Sequence, residues 1–173
     1  MIGDCTGLWR RSLLIDANGA GDTSAGVTWL QGDTAYVDSR GFAGHLECTG
    51  DVFHWHRDVD LEPPGQFPDA GKVHWEGDTL VETGVHEDYV EHWVRDEGPM
   101  EQGGAVFLRA PDAGDAVLLR VGPWFGWVGA RAVYVGHVAD PQWKALSVTV
   151  SDNEVHAGGV RWGVLHSEGM ITS

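Results

Sequence analysis

The sequence predicts an all-β fold, a single antiparallel β-barrel formed by residues 1–173, and three observations support this prediction. Short segments rich in β-branched and aromatic residues recur along the chain, with turn-forming residues between them. The 25 glycines and 7 prolines follow no fixed period, which is typical of many turns between short strands. No window carries apolar residues at helical spacing over three turns. Regularly spaced short strands of this kind form barrels or sandwiches, so we expect one β domain.

The first half of the chain alternates predicted strands with hairpin connections. The strands expected here share an alternation of apolar and polar residues and are, in order, GLWRRSLL, VTWLQ, TAYVDSR, GHLECTG, VFHWHRDVDL, KVHWEG, TLVETG and EDYVEHWVRDE. DANGAGD, Gly32-Asp33 and Gly77-Asp78 are typical hairpin connections. The segment EPPGQFPDAG is expected to be a loop, because two consecutive prolines are incompatible with a central strand.

The second half continues the pattern after a loop predicted at residues 97–104. Its strand-like segments, which share the same alternation, are AVFLRA, DAVLLRVG, WFGWVGARAVYVGHV, WKALSVTVSD and GVRWGVLHSE. Within this half PQWKAL (141–146) predicts one short helix. The glycine-rich and aromatic segment GPWFGWVG (122–129) predicts a tight strand bend.

Charge and composition exclude several classes of function. The net charge is −15, and Lys72 and Lys144 are the only lysines. Such a surface repels phosphate backbones and anionic lipids, so we expect neither nucleic-acid nor membrane binding. The chain has no signal-peptide pattern and no apolar run of spanning length, which predicts a cytoplasmic protein. A homodimer stays open as an oligomeric state.

The sequence also contains no motif for a cofactor or a nucleophile. GAGD (19–22) lacks the lysine and the strand–helix setting of a phosphate-binding loop, and no GxSxG pattern occurs. Cys5 and Cys48 make no disulfide framework and no CxxC pair, so free thiols are expected, with one disulfide as the alternative. We therefore predict no cofactor.

The segment DVFHWHRDVD (51–60) separates two faces of one predicted strand, because side chains alternate along a strand. The mainly apolar face, expected to point inward, carries Phe53, Trp55, Arg57, Val59 and Leu61. The polar face, expected to point to solvent, carries His54, His56, Asp58 and Asp60. This assignment argues against a metal site at His54-x-His56.

Aromatic side chains recur in phase with an arginine or a carboxylate on several predicted strands. This pattern favours a barrel interior with a few polar groups in an aromatic cavity. The residues expected to bind a ligand there are Tyr36, Arg40, Trp55, Arg57, Trp93 and Arg95. The expected ligand is a small, largely apolar or aromatic molecule, with or without an acidic group. The alternative is a filled core in which each arginine pairs with a neighbouring acid.

Two catalytic alternatives stay open. Glu82, Glu91 or Asp38 among aromatic residues could act as a base, with Tyr89 stabilising an oxyanion, in a cofactor-independent lyase, isomerase or cyclase. His54 and His56 could instead serve a metal-dependent, cupin-like enzyme. The spacings of the cupin pattern do not match, however, and no closing glycine-rich motif with its histidine follows. We predict no metal site.

Several segments together resemble fungal Hri-type proteins, which carry calycin-like (lipocalin-like) β-barrels, and similar short bacterial proteins. The resemblance runs from about residue 7 to residue 166. It depends on GLWRRSLL, VTWLQGDTAYVDSRGFAGHL, VFHWHRDVDLEPPGQFPDAGKV, TLVETGVHEDYVEHWVRD and AVLLRVGPWFGWVGAR. It implies a lipocalin-like barrel able to hold a small molecule and supplies no catalytic residues. The fungal proteins are longer and have two barrel-like halves, whereas we expect one barrel here.

Overall fold

The computed structural model describes residues 2–24, 26–97 and 103–171. A 3₁₀ helix at Ile2–Cys5 opens the chain, and a short α-helix, α1 (Pro141–Leu146), follows the thirteenth strand. The strands are β1 (Gly7–Ile15), β2 (Gly21–Asp22), β3 (Thr28–Gln31), β4 (Ala35–Asp38), β5 (Phe42–Thr49), β6 (Val52–Asp60), β7 (Ala70–Glu76), β8 (Thr79–Gly84), β9 (Val90–Arg95), β10 (Gly104–Ala110), β11 (Gly114–Val121), β12 (Trp124–Gly129), β13 (Ala132–His137), β14 (Thr149–Val150), β15 (Glu154–Ala157) and β16 (Val160–Glu168). The loop predicted at residues 97–104 lies mostly outside the described residues.

Eight of the described strands close an antiparallel barrel. Their order is β1, β3, β4, β5, β6, β7, β8 and β9, and β9 pairs back with β1 to complete the circle. Strand β2 adds two residues beside the end of β1. The predicted all-β antiparallel barrel is therefore confirmed. None of the helices in the described ranges is both long and apolar enough to cross a membrane.

The barrel is plugged at one end by the N-terminal 3₁₀ helix. The indole Nε1 of Trp9 donates to the carbonyl oxygen of Cys5 at 2.7 Å, and Arg95 Nη1 donates to the carbonyl oxygen of Asp4, also at 2.7 Å. Cys5, the last residue of this helix, is buried, and burial raises the pKa of its thiol to about 11. Cys5 and Cys48 are both free thiols, as expected. Strand β1 begins beside this plug and finishes at the opposite end of the barrel.

The remaining strands form a second sheet that the sequence analysis did not distinguish from the barrel. Within the described residues its order is β13, β12, β11, β10, β16, β15, β14. One face packs on the outside of the barrel, where Leu30 and Val37 meet Val117 and Leu119 in one buried cluster. A Cβ at Gly126 would lie 2.6 Å from the Cβ of Val37, so glycine permits this close contact. Because this sheet covers β4, both faces of that strand are buried.

The other face of the second sheet curls around its own core. The indoles of Trp127 and Trp162 meet edge to face at 5.5 Å, and Leu146 of α1 joins the same cluster. The predicted short helix at residues 141–146 is confirmed. The segment WFGWVGARAVYVGHV, predicted as one long strand-like stretch, divides into β12 and β13. The division lies at Ala130 and Arg131, whose φ angles are 48° and 64°. Hairpin turns of two residues need positive φ, which residues other than glycine and asparagine rarely supply, so this turn has no sequence signal.

A β-bulge in β6 reverses the predicted faces for the last part of this strand. Phe53 and Trp55 face the barrel interior and His54 and His56 face outward, as predicted. The pairing with β5 then shifts register, so that Ala43 faces Val59 while Gly44 faces Arg57. This leaves Asp58 as an extra residue, and an extra residue reverses the alternation that follows it. The faces of the residues beyond the bulge were therefore predicted wrongly: Val59 and Leu61 pack outside the barrel, and Asp60 turns back to Arg57.

Candidate functional site

A cavity of about 610 Å³ lies inside the barrel at the end opposite the 3₁₀ helix. The position follows from the pairing of β1, whose Trp9 faces Arg95 near the plug and whose Leu14 faces Glu91 beside the cavity. The described side chains that line it are Arg11, Leu14, Asp16, Ala17, Trp29, Asp38, Arg40, Phe42, Trp55, Arg57, Phe67, Asp69, Glu82, His86, Glu87, Asp88, Tyr89, Glu91 and Trp93. Most of the exposed members come from the loops after β1, β6 and β8, and Arg40 and Arg57 are exposed as well, so these loops and arginines form the mouth.

Three tryptophans give the cavity an aromatic wall. The indole of Trp29 meets those of Trp55 and Trp93 edge to face, each at 5.8 Å between ring centroids. Trp9 stacks beneath Trp29 at 5.5 Å, and Trp29 Nε1 donates to Oε1 of Gln31 at 3.0 Å. Edge-to-face packing and a satisfied indole N–H hold such rings in fixed orientations. The wall is therefore rigid and offers flat apolar area.

An ion-pair network with a buried central pair lies beside this wall. Arg11 Nη1 donates to Oε1 of Glu91 at 2.8 Å, and these side chains are only 12% and 6% exposed. Arg40 approaches the same carboxylate oxygen at 3.5 Å. Its Nε and Nη2 also donate to the two oxygens of Asp38 at 2.9 and 2.8 Å, which makes a bidentate pair. The network thus holds two guanidinium groups and two carboxylates in fixed positions.

Arg57 lies at the side of the cavity nearest the β6 bulge. Its Nη2 donates to Asp69 at 2.8 Å and its Nη1 donates to Asp60 at 3.1 Å. The guanidinium also lies 3.6 Å from the centroid of the Phe42 ring, within cation–π range. Among the described residues, each arginine of the cavity lining is therefore bonded to at least one carboxylate.

Glu82 is the carboxyl group with the most perturbed environment in the cavity. The Tyr89 hydroxyl lies 2.7 Å from its Oε1, and Trp93 Nε1 donates to its Oε2 at 3.2 Å. A Cβ at Gly71 would lie 2.4 Å from Glu82 Cγ, so glycine makes room for this side chain. Burial, and then the neighbouring charge of Glu91, raise the pKa of Glu82 to about 8. The group can therefore exchange a proton near neutral pH.

The structure brings most of the predicted site residues together. The described cavity lining includes the predicted Arg40, Trp55, Arg57, Glu82, Tyr89, Glu91 and Trp93, together with Asp38. Tyr36 and Arg95 lie elsewhere in the barrel. Tyr36 is fully buried and its hydroxyl donates to the His56 carbonyl oxygen at 3.3 Å, whereas Arg95 lies over the Trp9 ring at the plugged end. Both point inward, but alternation along a strand does not give the depth at which a side chain lies.

Sequence reasoning missed Arg11, Trp29, Phe42 and Asp69. Trp9 and Arg11 occupy alternate positions of β1, which is the same aromatic–arginine pattern that identified Trp55 and Arg57. A register shift between Arg11 and Leu13 then turns Leu14 toward the cavity as well. The signal for Arg11 was therefore present, whereas Asp69 is contributed by a loop and has no periodic signal.

The predicted histidine pair lies outside the cavity. His56 is exposed on the outer face of β6, and its Nε2 lies 3.0 Å from Oε2 of Glu47. The side chains that could share one ion among the described residues are His45, Glu47 and His56, a group that does not include His54. The cupin-like alternative, which needs His54 and His56 together, therefore matches neither this grouping nor the cavity.

Comparison with known proteins supports the fold alone. No protein-family model matches the chain, and no curated protein matches its sequence. The crystal structure of an uncharacterized protein from Saccharomyces cerevisiae, YLR301w, has a similar fold, with a TM-score of 0.57 and 13% sequence identity. The match covers 94% of this chain and 98% of the yeast chain. At this identity the likeness indicates a related architecture.

Proposed function

We propose that the protein binds a small, planar and largely apolar molecule in the barrel cavity. The observation that carries this proposal is the cavity itself, about 610 Å³ with a wall of three tryptophans. Ligand sites of about 300–1,000 Å³ with aromatic walls and a few fixed polar groups are typical of small-molecule binding. The hydroxyl of Tyr89 and the carboxyl of Glu82 lie at this wall and suit a neutral hydrogen-bonding substituent on the ligand.

The charges of the cavity favour a neutral ligand over an acidic one. The carboxylic side chains among its described lining residues are Asp16, Asp38, Asp69, Glu82, Glu87, Asp88 and Glu91, against three arginines. Each of these arginines already bonds a carboxylate, so an acidic ligand would have to break an existing ion pair. The unpaired carboxylate left behind would be costly in a buried site.

A matched set of naphthalene derivatives tests this proposal. We expect 2-naphthalenemethanol to bind at least about tenfold more tightly than 2-naphthoate, a difference of about 1.4 kcal/mol. The measurement is an NMR titration that follows the indole N–H signals of Trp29 and Trp93. Failure of either compound to shift those signals saturably, or tighter binding of the acid, would contradict the proposal.

Two tryptophan variants provide the control for this titration. Trp55→Leu removes part of the cavity wall and is expected to weaken binding of 2-naphthalenemethanol severalfold. Trp127→Leu removes an indole that is at least as buried, from the core of the second sheet, and should leave the affinity unchanged. Equal losses in both variants would point to general destabilisation.

A second candidate is cofactor-independent proton transfer on the bound molecule, as in a lyase, an isomerase or a cyclase. The observation that favours it is the Glu82–Tyr89 pair at the cavity wall, with the carboxyl pKa raised to about 8 by burial and by the charge of Glu91. A carboxyl group with such a pKa can both accept and return a proton near neutral pH. Tyr89 is placed to stabilise an oxyanion that develops beside it.

Hydrogen exchange of a carbon acid checks this candidate. In D₂O the Glu82 carboxylate would remove an α-proton from bound 2-tetralone, and the carboxyl group would exchange that proton for a deuteron of the solvent. The enolate would then take the deuteron from the same carboxyl group. We expect the protein to accelerate this exchange, and Glu82→Gln to reduce the acceleration about 100-fold or more while 2-tetralone still binds. The readout is loss of the α-proton signal in ¹H NMR. Exchange at the spontaneous rate, or unchanged exchange in Glu82→Gln, would rule the candidate out.

A further inference from the structure

A group of three side chains that could bind a metal ion lies on the outside of the barrel, away from the cavity. It is formed by the neighbouring strands β5 and β6, in which His45 pairs directly with His56. Glu47 follows His45 by two residues and therefore shares its face. The ring nitrogens and the carboxylate oxygen that these three residues can offer all lie within 4.8 Å of one another.

We propose that His45, His56 and Glu47 form a binding site for one divalent transition-metal ion of the Zn²⁺ type. Two imidazoles and one carboxylate are a ligand set that zinc accepts, with a fourth position left for water. Ligand atoms around tetrahedral zinc lie roughly 3.3 Å apart at bond lengths of about 2.0 Å. The side chains of His45, His56 and Glu47 are 39%, 46% and 63% exposed, so they have the freedom to close the remaining gap.

The β6 bulge provides a supporting residue for this site. Asp58, the extra residue of the bulge, places its Oδ2 2.8 Å from Nδ1 of His45. A carboxylate on one ring nitrogen fixes the tautomer and leaves the lone pair on the other nitrogen, which is the usual support for a metal-binding histidine. Gly44 permits this arrangement, because a Cβ there would lie 1.8 Å from the carbonyl oxygen of His56.

The two imidazoles lie next to each other on the same outer face of the barrel. Their rings are stacked, with centroids 4.6 Å apart and an interplanar angle of 11°, and rotation of these partly exposed side chains would turn a nitrogen lone pair of each ring toward one ion. Glu47 Oε2 already lies 3.0 Å from His56 Nε2, and an ion would enter between these two atoms in place of that hydrogen bond. The surrounding protein carries a net charge of −15, which attracts cations.

Other histidine–carboxylate pairs of the barrel and the second sheet provide matched controls. His74 lies 3.1 Å from Glu76, and His156 lies 2.8 Å from Glu154, each on one exposed strand face. Neither pair belongs to a group of three candidate ligands among the described residues. If an isolated pair were enough to hold an ion, these sites would bind as well as the proposed one.

The test is a titration of tag-free, chelator-treated protein with Zn²⁺ by isothermal calorimetry, with Co²⁺ absorption as a second readout. We expect one equivalent to bind, and His45→Ala or His56→Ala to weaken binding about 100-fold or more. Asp58→Asn should weaken it about 10- to 100-fold through its effect on His45. His74→Ala and His156→Ala should leave the affinity within about twofold, and His54→Ala should also retain binding.

Several outcomes would overturn the proposal. They are the absence of stoichiometric Zn²⁺ binding by the wild-type protein, binding that survives His45→Ala combined with His56→Ala, and loss of binding in His156→Ala. Loss of binding in His54→Ala would overturn the assignment of ligands. Because the substituted side chains are exposed, the metal-free variants should unfold at the wild-type temperature, which separates loss of the site from loss of the fold.

Discussion

Replacing Arg11 by methionine is expected to destabilise the protein by about 3–5 kcal/mol, because the change leaves a buried carboxylate without its main partner. Arg11 donates to Glu91 at 2.8 Å, and both side chains are almost fully buried. The remaining cation, Arg40, lies 3.5 Å from the same oxygen and is already committed to Asp38. The measurement is the free energy of unfolding from urea denaturation at pH 7.

An exposed ion pair and a double variant control this prediction. Arg109 bonds Asp115 at 2.7 Å with side chains 63% and 35% exposed, so Arg109→Met should change the free energy of unfolding far less than Arg11→Met does. Combining Arg11→Met with Glu91→Leu removes both charges and should recover most of the lost stability. Equal effects of Arg11→Met and Arg109→Met would show that the buried pair contributes no more than a surface pair.

Glu82→Gln is expected to change how stability depends on pH. The ordinary pKa of a glutamate is 4.5, and burial together with the charge of Glu91 raises that of Glu82 to about 8. Between these values the folded protein holds a proton that the unfolded chain has released. The free energy of unfolding of the wild type should therefore fall as pH rises through this window, by up to about 1.4 kcal/mol per pH unit from this group.

The glutamine variant isolates this contribution, since its amide cannot ionise and keeps nearly the same shape. The difference in the free energy of unfolding, variant minus wild type, should increase steadily from about pH 5 to pH 8 and stay constant above pH 8. Carboxyl groups that do not interact with Glu82 titrate equally in both proteins and cancel in the difference. Urea denaturation at unit pH intervals measures the effect. Parallel curves over the whole range would show that Glu82 is ionised in the folded protein at neutral pH.

Alternation along single strands predicted much of the cavity. Trp55, Arg57 and Trp93 point inward because every second residue of a strand shares a face. The same rule could not place Arg95, which points inward at the plugged end and bonds Asp4 instead of facing the cavity. Depth along the barrel depends on where each strand begins relative to its neighbours, and that stagger is a property of the pairing.

The bulge in β6 explains why the predicted faces of residues 51–60 were correct only for the first half of the segment. One extra residue at Asp58 reverses the faces beyond it, so Asp60 bonds Arg57 while Val59 packs on the second sheet. No residue type in that segment signals the bulge. Its nearest mark is Gly44 on the partner strand, where any side chain would collide with the His56 carbonyl oxygen.

Local periodicity and turn chemistry were enough to predict most of the strands, several of the turns and several of the aromatic and arginine residues that line the cavity. The three-dimensional structure was needed to show that β9 closes on β1, that the last seven of the described strands form a separate sheet, and that Glu82 contacts Tyr89 and Trp93. These features depend on pairing between distant segments, which residue type and alternation leave undetermined. The raised pKa of Glu82 is likewise a consequence of burial, which exists only once the barrel has closed.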